Sequence, residues 1–264
     1  MASLTVRKNI NNLSAAELTA LRKGYAQAQT IMDNRGYNYF AGLHGIPNHY
    51  CWHHSGTQGS NVNANLFLPW HRAYLLYFEK AMRDQSPPTP KVGLPWWNWS
   101  SPQAVPQAFS VATAGGQPNP LYRARITNAN PPINRVTRRF PGQNVPGGLP
   151  TPAQVQNLLN VNQFTDFTNQ LENIHDGVHG WTGGNNGQIG GDMGSISTAA
   201  WDPIFWSHHC MIDRLWYLWQ LKHGVNNITP SLLPMVLQPF GLKVQDVLST
   251  TQLGYAYAVS FVQL

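Results

Sequence analysis

The chain has 264 residues, 42% of them hydrophobic, with ten Trp, ten Tyr and ten Phe, which is enough apolar material for one sizeable core. Only 11% of the residues are charged, with a formal net charge of +6, so the 23 Gly and 20 Pro imply a surface of polar loops more than of charged helices. Arg123, Arg125, Arg135, Arg138 and Arg139 crowd one segment without interleaved aromatics or a nucleic-acid motif, which reads as a solvated loop face and argues against a nucleic-acid partner.

The opening MASLTVRKNI lacks the apolar run of a signal peptide, and no stretch is apolar and long enough to span a bilayer. A soluble, cytoplasmic protein with no membrane partner is expected, export by other routes being left open. Two cysteines, Cys51 and Cys210, are too few for a disulfide framework; each lies beside histidines, which points to a reduced compartment or a metal-site role.

Ser14 followed by Glu17 is a capping-box start, and Leu18, Leu21 and Tyr25 continue at helical spacing, so a helix is predicted from about Ala15 into the low thirties. NRGYNYFAGLHG then carries His44 at a glycine-marked end, and HYCWHHSGTQGSNVNAN is a loop by its Gly, Ser and Asn content. Pro69 reads as the first residue of a helix through PWHRAYLLYFEKAMRD, with His71, Leu75, Phe78 and Met82 on one inward face.

From Ser86 to about Pro152 the chain is rich in Pro, Gly and Asn but holds Trp96, Trp97 and Trp99, so it is expected to be ordered loop with short strands wrapped around a bundle. Thr151 to about Gly180 is weakly helical and contains LENIHDGVHG. WDPIFWSHHCMIDRLWYLWQLKHG opens with Asp202 as N-cap and Pro203 at the first helical position, closes at Gly224, and places Phe205, His209, Ile212, Trp216 and Trp219 on one buried stripe.

His175 and His179 stand four apart, so on a helix both imidazoles reach one ion. Such a pair alone is more often surface or satisfied core. Its weight changes because His44, His71 and His209 also fall at inward or helix-end positions, and a bundle gathering histidines from several helices builds a dinuclear site. Glu is absent from the middle of the HxxxH, which removes the zinc-protease reading, and imidazole-only ligation suits copper, zinc or nickel. A structural bundle with a zinc site is the plainest alternative.

HDGVHGWTGG, then GDM, then DPIFWSHHCMIDRLW, with LFLPWHRAY upstream, closely resemble the copper-B and copper-A signatures of tyrosinases, catechol oxidases and molluscan-type haemocyanins. LPWWNW resembles the family's LPYWDW. Tyr255-Ala256-Tyr257 resembles the tyrosine motif that closes the catalytic domain facing an N-terminal arginine, here Arg7.

This resemblance implies a mainly α fold, a four-helix bundle housing a dinuclear copper site, wrapped by long loops and a few short strands. Residues 1–264 would form a single catalytic domain without a C-terminal covering domain. The cofactor implied is two copper ions, with His175, His179 and His209 the copper-B ligands, His208 a non-ligating neighbour, and His44 and His71 on copper A.

The family usually places the third copper-A ligand nine residues before the histidine of PWHR, which here is Val62, so His53 or His54 serves instead. His53 is favoured, because Cys51-Trp52-His53 matches the spacing at which some members form a cysteine-to-histidine thioether. An ordinary buried thiol is the alternative for Cys51.

The activity implied is ortho-hydroxylation of monophenols and oxidation of o-diphenols to quinones, with a phenolic substrate, O2 and a possible copper-delivery protein as partners. A catechol or o-aminophenol oxidase with little hydroxylation is the alternative. An oxygen carrier stands further off, because the chain ends soon after the tyrosine motif, which is read as leaving the pocket uncovered.

Glu172, one turn before His175, resembles the family's water-holding glutamate; the bland alternative is a helix-surface residue. Asp176 stands where strongly monophenol-active members often carry Asn, and is expected either to accept the phenol's proton or to repel phenolate. Phe205, one turn before His209, is expected to pack against the pocket, and Asp213 to support it or form an ion pair. Ile196 occupies the gate position after the GxM motif and implies an open entrance that admits bulky phenols.

Overall fold

The computed structural model describes residues 4–51, 61–84 (side chains from 65), 93–127 and 133–258. After strand β1 (Thr5–Arg7), helix α1 (Ala15–Ala28) begins as a reciprocal cap: Ser14 Oγ accepts from Glu17 N at 3.2 Å and Glu17 Oε2 accepts from Ser14 N at 2.8 Å. It stops at Ala28, short of the low thirties. Beyond it Asp33 accepts from the Arg35 backbone N–H and pairs with the Arg35 guanidinium, a local bonding pattern that competes with helix.

Helix α2 (Tyr37–His44) ends at Gly45, and α3 spans Asn61–Asp84. Pro69 is therefore inside α3 and not its first residue. The ring removes only the donor that would reach the carbonyl of residue 65, while Leu66, Phe67 and Leu68 just ahead of it are buried, so packing carries the helix two turns further back than local propensity suggests.

Residues 93–127 and 133–150 wrap this frame as expected, with α4 (Gln107–Ser110) and two ribbons, β2 (Thr113–Ala114) with β3 (Gln117–Pro118) and β4 (Arg125–Ile126) with β5 (Arg135–Val136). The three tryptophans are the reason the wrap is ordered. Trp96, Trp97 and Trp99 are all buried, and Trp97 N donates to the Ser207 carbonyl at 3.0 Å.

The weakly helical segment is two helices, α5 (Pro152–Leu159) and α6 (Phe164–Gly183). The break is held from outside: the indole N–H of Trp219 donates to the Val161 carbonyl at 2.6 Å, and Asn227 Nδ2 donates to the Asn162 carbonyl at 3.1 Å. Helix α7 (Ile204–His223) starts where Asp202 Oδ1 accepts from Ile204 N and ends at Gly224, whose φ is +97°.

Helix α3 runs through the bundle, packed against α1, α2, α6 and α7. Aromatic rings fill the seams, Phe78 stacking on Trp206 at 3.8 Å between centroids with Tyr74 at 4.7 Å from the same indole. Burying each such side chain contributes about 1.5–3 kcal/mol.

A third ribbon, β6 (Val236–Leu237) with β7 (Leu242–Lys243), precedes β8 (Tyr255–Tyr257), which pairs in parallel with β1. Arg7 faces the tyrosine motif as the resemblance implied. Its guanidinium bonds the Tyr257 hydroxyl, Glu79 and Asp213, and Asp213 also takes Arg72 and the hydroxyls of Tyr255 and Tyr257, so Asp213 is an ion-pair residue. Among the described residues no helix is long and apolar enough to cross a membrane.

Candidate metal centre

The HxxxH pair sits on the last turns of α6, which end against the turn Asp192–Gly194. Glycine makes that approach possible: a Cβ on Gly183 would lie 2.4 Å from the Gly194 backbone nitrogen. The close seating brings the Met193 carbonyl to 2.7 Å from His179 Nδ1. His175 Nδ1 lies 2.9 Å from Asp176 Oδ1.

Both acceptors hold a proton on Nδ1, which leaves each Nε2 with a lone pair. These two Nε2 atoms are each 3.2 Å from His209 Nε2 on α7. His209 can supply at most one proton there, so three buried nitrogens converge with more lone pairs than donors. A shared cation resolves that arrangement.

His209 and His208 are both held well below the ordinary imidazole range, first by burial and then by neighbouring imidazoles, so both are neutral and able to ligate. His208 joins His175, His179 and His209 in a set whose ligand atoms lie within 4.8 Å of one another. Neither of its ring nitrogens has a hydrogen-bond partner among the described residues.

A second set, His44, Cys51 and His71, has its ligand atoms within 4.8 Å of one another. His44 is the last residue of α2; a Cβ on Gly45 would stand 2.2 Å from the Ser197 carbonyl, so α2 docks backbone to backbone onto the loop before α7. His71 Nδ1 donates to the Phe67 carbonyl at 2.8 Å, which again puts the ring's lone pair on Nε2. The His71 and His209 rings stack at 4.4 Å and 15°, which makes the two sets neighbours.

Phe205 is fully buried with its ring 4.1 Å from His209 and 4.7 Å from His44, packed against the centre as expected. Cys51 is partly buried; its thiol is pushed well up by burial and by the carboxylates of Glu172 and Asp176. His53 and His54, and with them the thioether, lie outside the described residues.

A cavity of about 190 Å³ opens on this centre, lined by His44, His175, Asp176, His179, Met193 and Ile196 with Gly180, Gly194 and Ala199. Ile196 is 52% exposed at its mouth. Asp176 stands on the wall with its side chain 49% exposed, while Glu172 is buried inside α6 and is no surface residue.

Sequence reasoning missed the anchoring carbonyls of Met193 and Phe67, for which a side-chain pattern gives no signal. It also missed how far His208 enters the histidine set, although the HH dipeptide marks it. A buried donor set in which imidazoles predominate, with His208 and His209 neutral, fits copper.

The family model for the common central domain of tyrosinase matches residues 34–222. A tyrosinase from Streptomyces lincolnensis is 29% identical over 263 residues, covering 89% of this chain and 88% of that protein. Hemocyanin 2 of Megathura crenulata is 28% identical over 281 residues, and unit D of the Helix pomatia haemocyanin beta-C chain 29% over 250; the chain spans 8% and 58% of their lengths.

Among solved structures, Burkholderia thailandensis tyrosinase superposes with a TM-score of 0.79 at 22% identity, covering 99% of this chain and 75% of that one. A functional unit of octopus haemocyanin gives 0.72 at 24%, covering 96% and 67%. At these identities the superpositions speak for the fold. With the family match over most of the chain, they make this protein a member of the tyrosinase family of dinuclear type 3 copper proteins.

Proposed function

We propose that this chain oxidises phenols with O2, hydroxylating monophenols at the ortho carbon and converting o-diphenols to o-quinones. The observation that carries the reading is the cavity: it reaches His44 of one histidine set and His175 and His179 of the other, and its volume suits one aromatic ring, since about 150 Å³ admits benzene. His44, His71 and His53 would hold one copper, and His175, His179 and His209 the other. Copper, when bound, supplies the two-electron chemistry toward O2 and the Lewis acidity that draws in a phenolate oxygen.

The protein's own groups do the rest. A phenol of pKa about 10 must shed its proton to ligate well, and Glu172, buried one turn ahead of His175, is the base or water holder for that proton. Asp176 keeps the Nδ1 proton of His175 in place. Phe205 excludes water from the face shared by His44 and His209, and Ile196 leaves the entrance open to bulky rings.

A second reading, a catechol or o-aminophenol oxidase with little hydroxylation, draws support from Asp176, whose carboxylate is engaged with His175. The test is to load the protein with two equivalents of copper and follow O2 consumption and quinone formation from tyramine, catechol and o-aminophenol. Turnover of tyramine and catechol supports the tyrosinase reading. Turnover of catechol or aminophenol alone selects the second, and reversible O2 uptake without product would sink both in favour of an oxygen carrier.

A further inference from the structure

Of the described residues that line the cavity over the histidines, Asp176 is the one with a formal charge; the others are imidazoles, glycines, Ala199, Met193 and Ile196. The Asp176 side chain is 49% exposed, so its carboxylate meets whatever occupies the entrance.

Asp176 stands on the outer side of His175. Asp176 Oδ1 contacts Nδ1 of His175, the ring edge opposite the Nε2 that faces His209. A phenol whose oxygen points at the converging nitrogens directs its para arm away from them, toward Asp176 and Ile196 on the outer wall.

We propose that Asp176 gives this site a charge preference, so that phenols and catechols whose side arm ends in an amine are favoured over those whose arm ends in a carboxylate. The inference rests on the phenol-oxidising reading above. It runs against the net charge of the whole molecule, +6, which would draw anions.

The local group prevails because screening at physiological salt has a length of about 8 Å, so an arm in the mouth feels the nearest charge most. Two nearby arginines are already matched: Arg135 pairs with Asp192 at 2.6 Å and Arg139 with Asp202 at 3.0 Å. Glu172 adds to the same sign, and both carboxylates act on the Cys51 thiol.

The test compares kcat/KM of the copper-loaded protein for 4-methylcatechol, dopamine and 3,4-dihydroxyphenylacetate, using the neutral catechol as internal reference. Dopamine should be preferred over the carboxylate by about tenfold at physiological salt, attraction and repulsion each supplying part of that factor. The ratio should fall toward unity at about 0.5 M salt. Asp176→Asn should reduce it to about twofold or less while Asp176→Glu retains it; because each value is referred to 4-methylcatechol, a general loss of activity in the variant cancels.

A second arm needs no turnover: phenethylamine and phenylacetate are titrated into the metal-free protein by NMR, and the amine should bind more tightly in a manner that Asp176→Asn abolishes. Equal preference in wild type and Asp176→Asn, or preference for the carboxylate, overturns the proposal while leaving phenol oxidation intact. If no catechol is oxidised, the functional reading falls and the titration alone decides the charge preference.

Discussion

Arg7 and Asp213, 206 residues apart, meet at 3.1 Å with both side chains sealed from solvent. Asp213 lies one turn after His209, so this ion pair, with Arg72 on its other oxygen, fixes the helix that presents the central imidazole. Burial alone would raise the Asp213 carboxyl; Arg72, Arg7 and the two tyrosine hydroxyls more than reverse that, and hold it below the usual range.

Removing the charge should therefore be costly. Asp213→Asn leaves two buried guanidinium groups underpaired, and a loss of about 3–5 kcal/mol is expected in urea unfolding of the metal-free protein at pH 7. A depressed native pKa contributes stability that is present above the unfolded value near 4 and lost as pH falls through the native value. The wild-type advantage should accordingly shrink below pH 4, and an advantage unchanged down to pH 2 would refute this account.

His209 and His208 are expected to differ in copper stoichiometry. His209→Ala removes the nitrogen that both His175 and His179 face, and should bind one copper fewer per chain by atomic absorption. His208→Ala should retain two. Loss of a copper from the second variant would redraw the ligand set.

The same measurement separates His53 from His54. Only His53→Ala should lose a copper from the set containing His44 and His71, and equal losses from the two variants would remove His53 from its place.

Two glycines of α6 differ sharply: Gly183, four residues beyond His179, has no room for a Cβ, and Gly177, midway between His175 and His179, has open space. Gly183→Ala should push the Asp192–Gly194 turn away, deprive His179 Nδ1 of the Met193 carbonyl, and speed copper release to a chelator. Gly177→Ala should stabilise α6 by about 0.5–1 kcal/mol with release unchanged.

Asp202 supplies a pH dependence away from the metal centre. Burial lifts its carboxyl to about 6 despite Arg139 at 3.0 Å. A native pKa above the unfolded value of about 4 means that the native state binds this proton more tightly, so the contribution is full below pH 4 and lost as pH rises through 6. Relative to wild type, Asp202→Asn should gain on the order of 3 kcal/mol between pH 4 and pH 7 in denaturant unfolding of the metal-free protein. A flat difference across that window would refute the shift.

The helices that carry histidines are legible in the sequence because ligand spacing and buried periodicity coincide there: His175 and His179 on α6, and His209 among Phe205, Ile212 and Trp216 on α7. Pro69 was misleading as a helix start, since its local preference yields to the burial of Leu66, Phe67 and Leu68 ahead of it. The break between α5 and α6 depends on Trp219 and Asn227 arriving from elsewhere in the chain. Orientation of the imidazoles was the least legible, because two of the acceptors that set it are main-chain carbonyls, of Phe67 and Met193.

The parallel pairing of Thr5–Arg7 with Tyr255–Tyr257 bears on synthesis. Residue 7 leaves the ribosome long before residue 257, and until then the guanidinium later shared by Glu79, Asp213 and Tyr257 has no Tyr257 to bond. With domains emerging at about 5–20 residues per second, that interval lasts on the order of ten seconds or more. The nascent chain must therefore carry its histidine-bearing helices through translation without this clasp, and the step that closes the fold falls after the last strand is made.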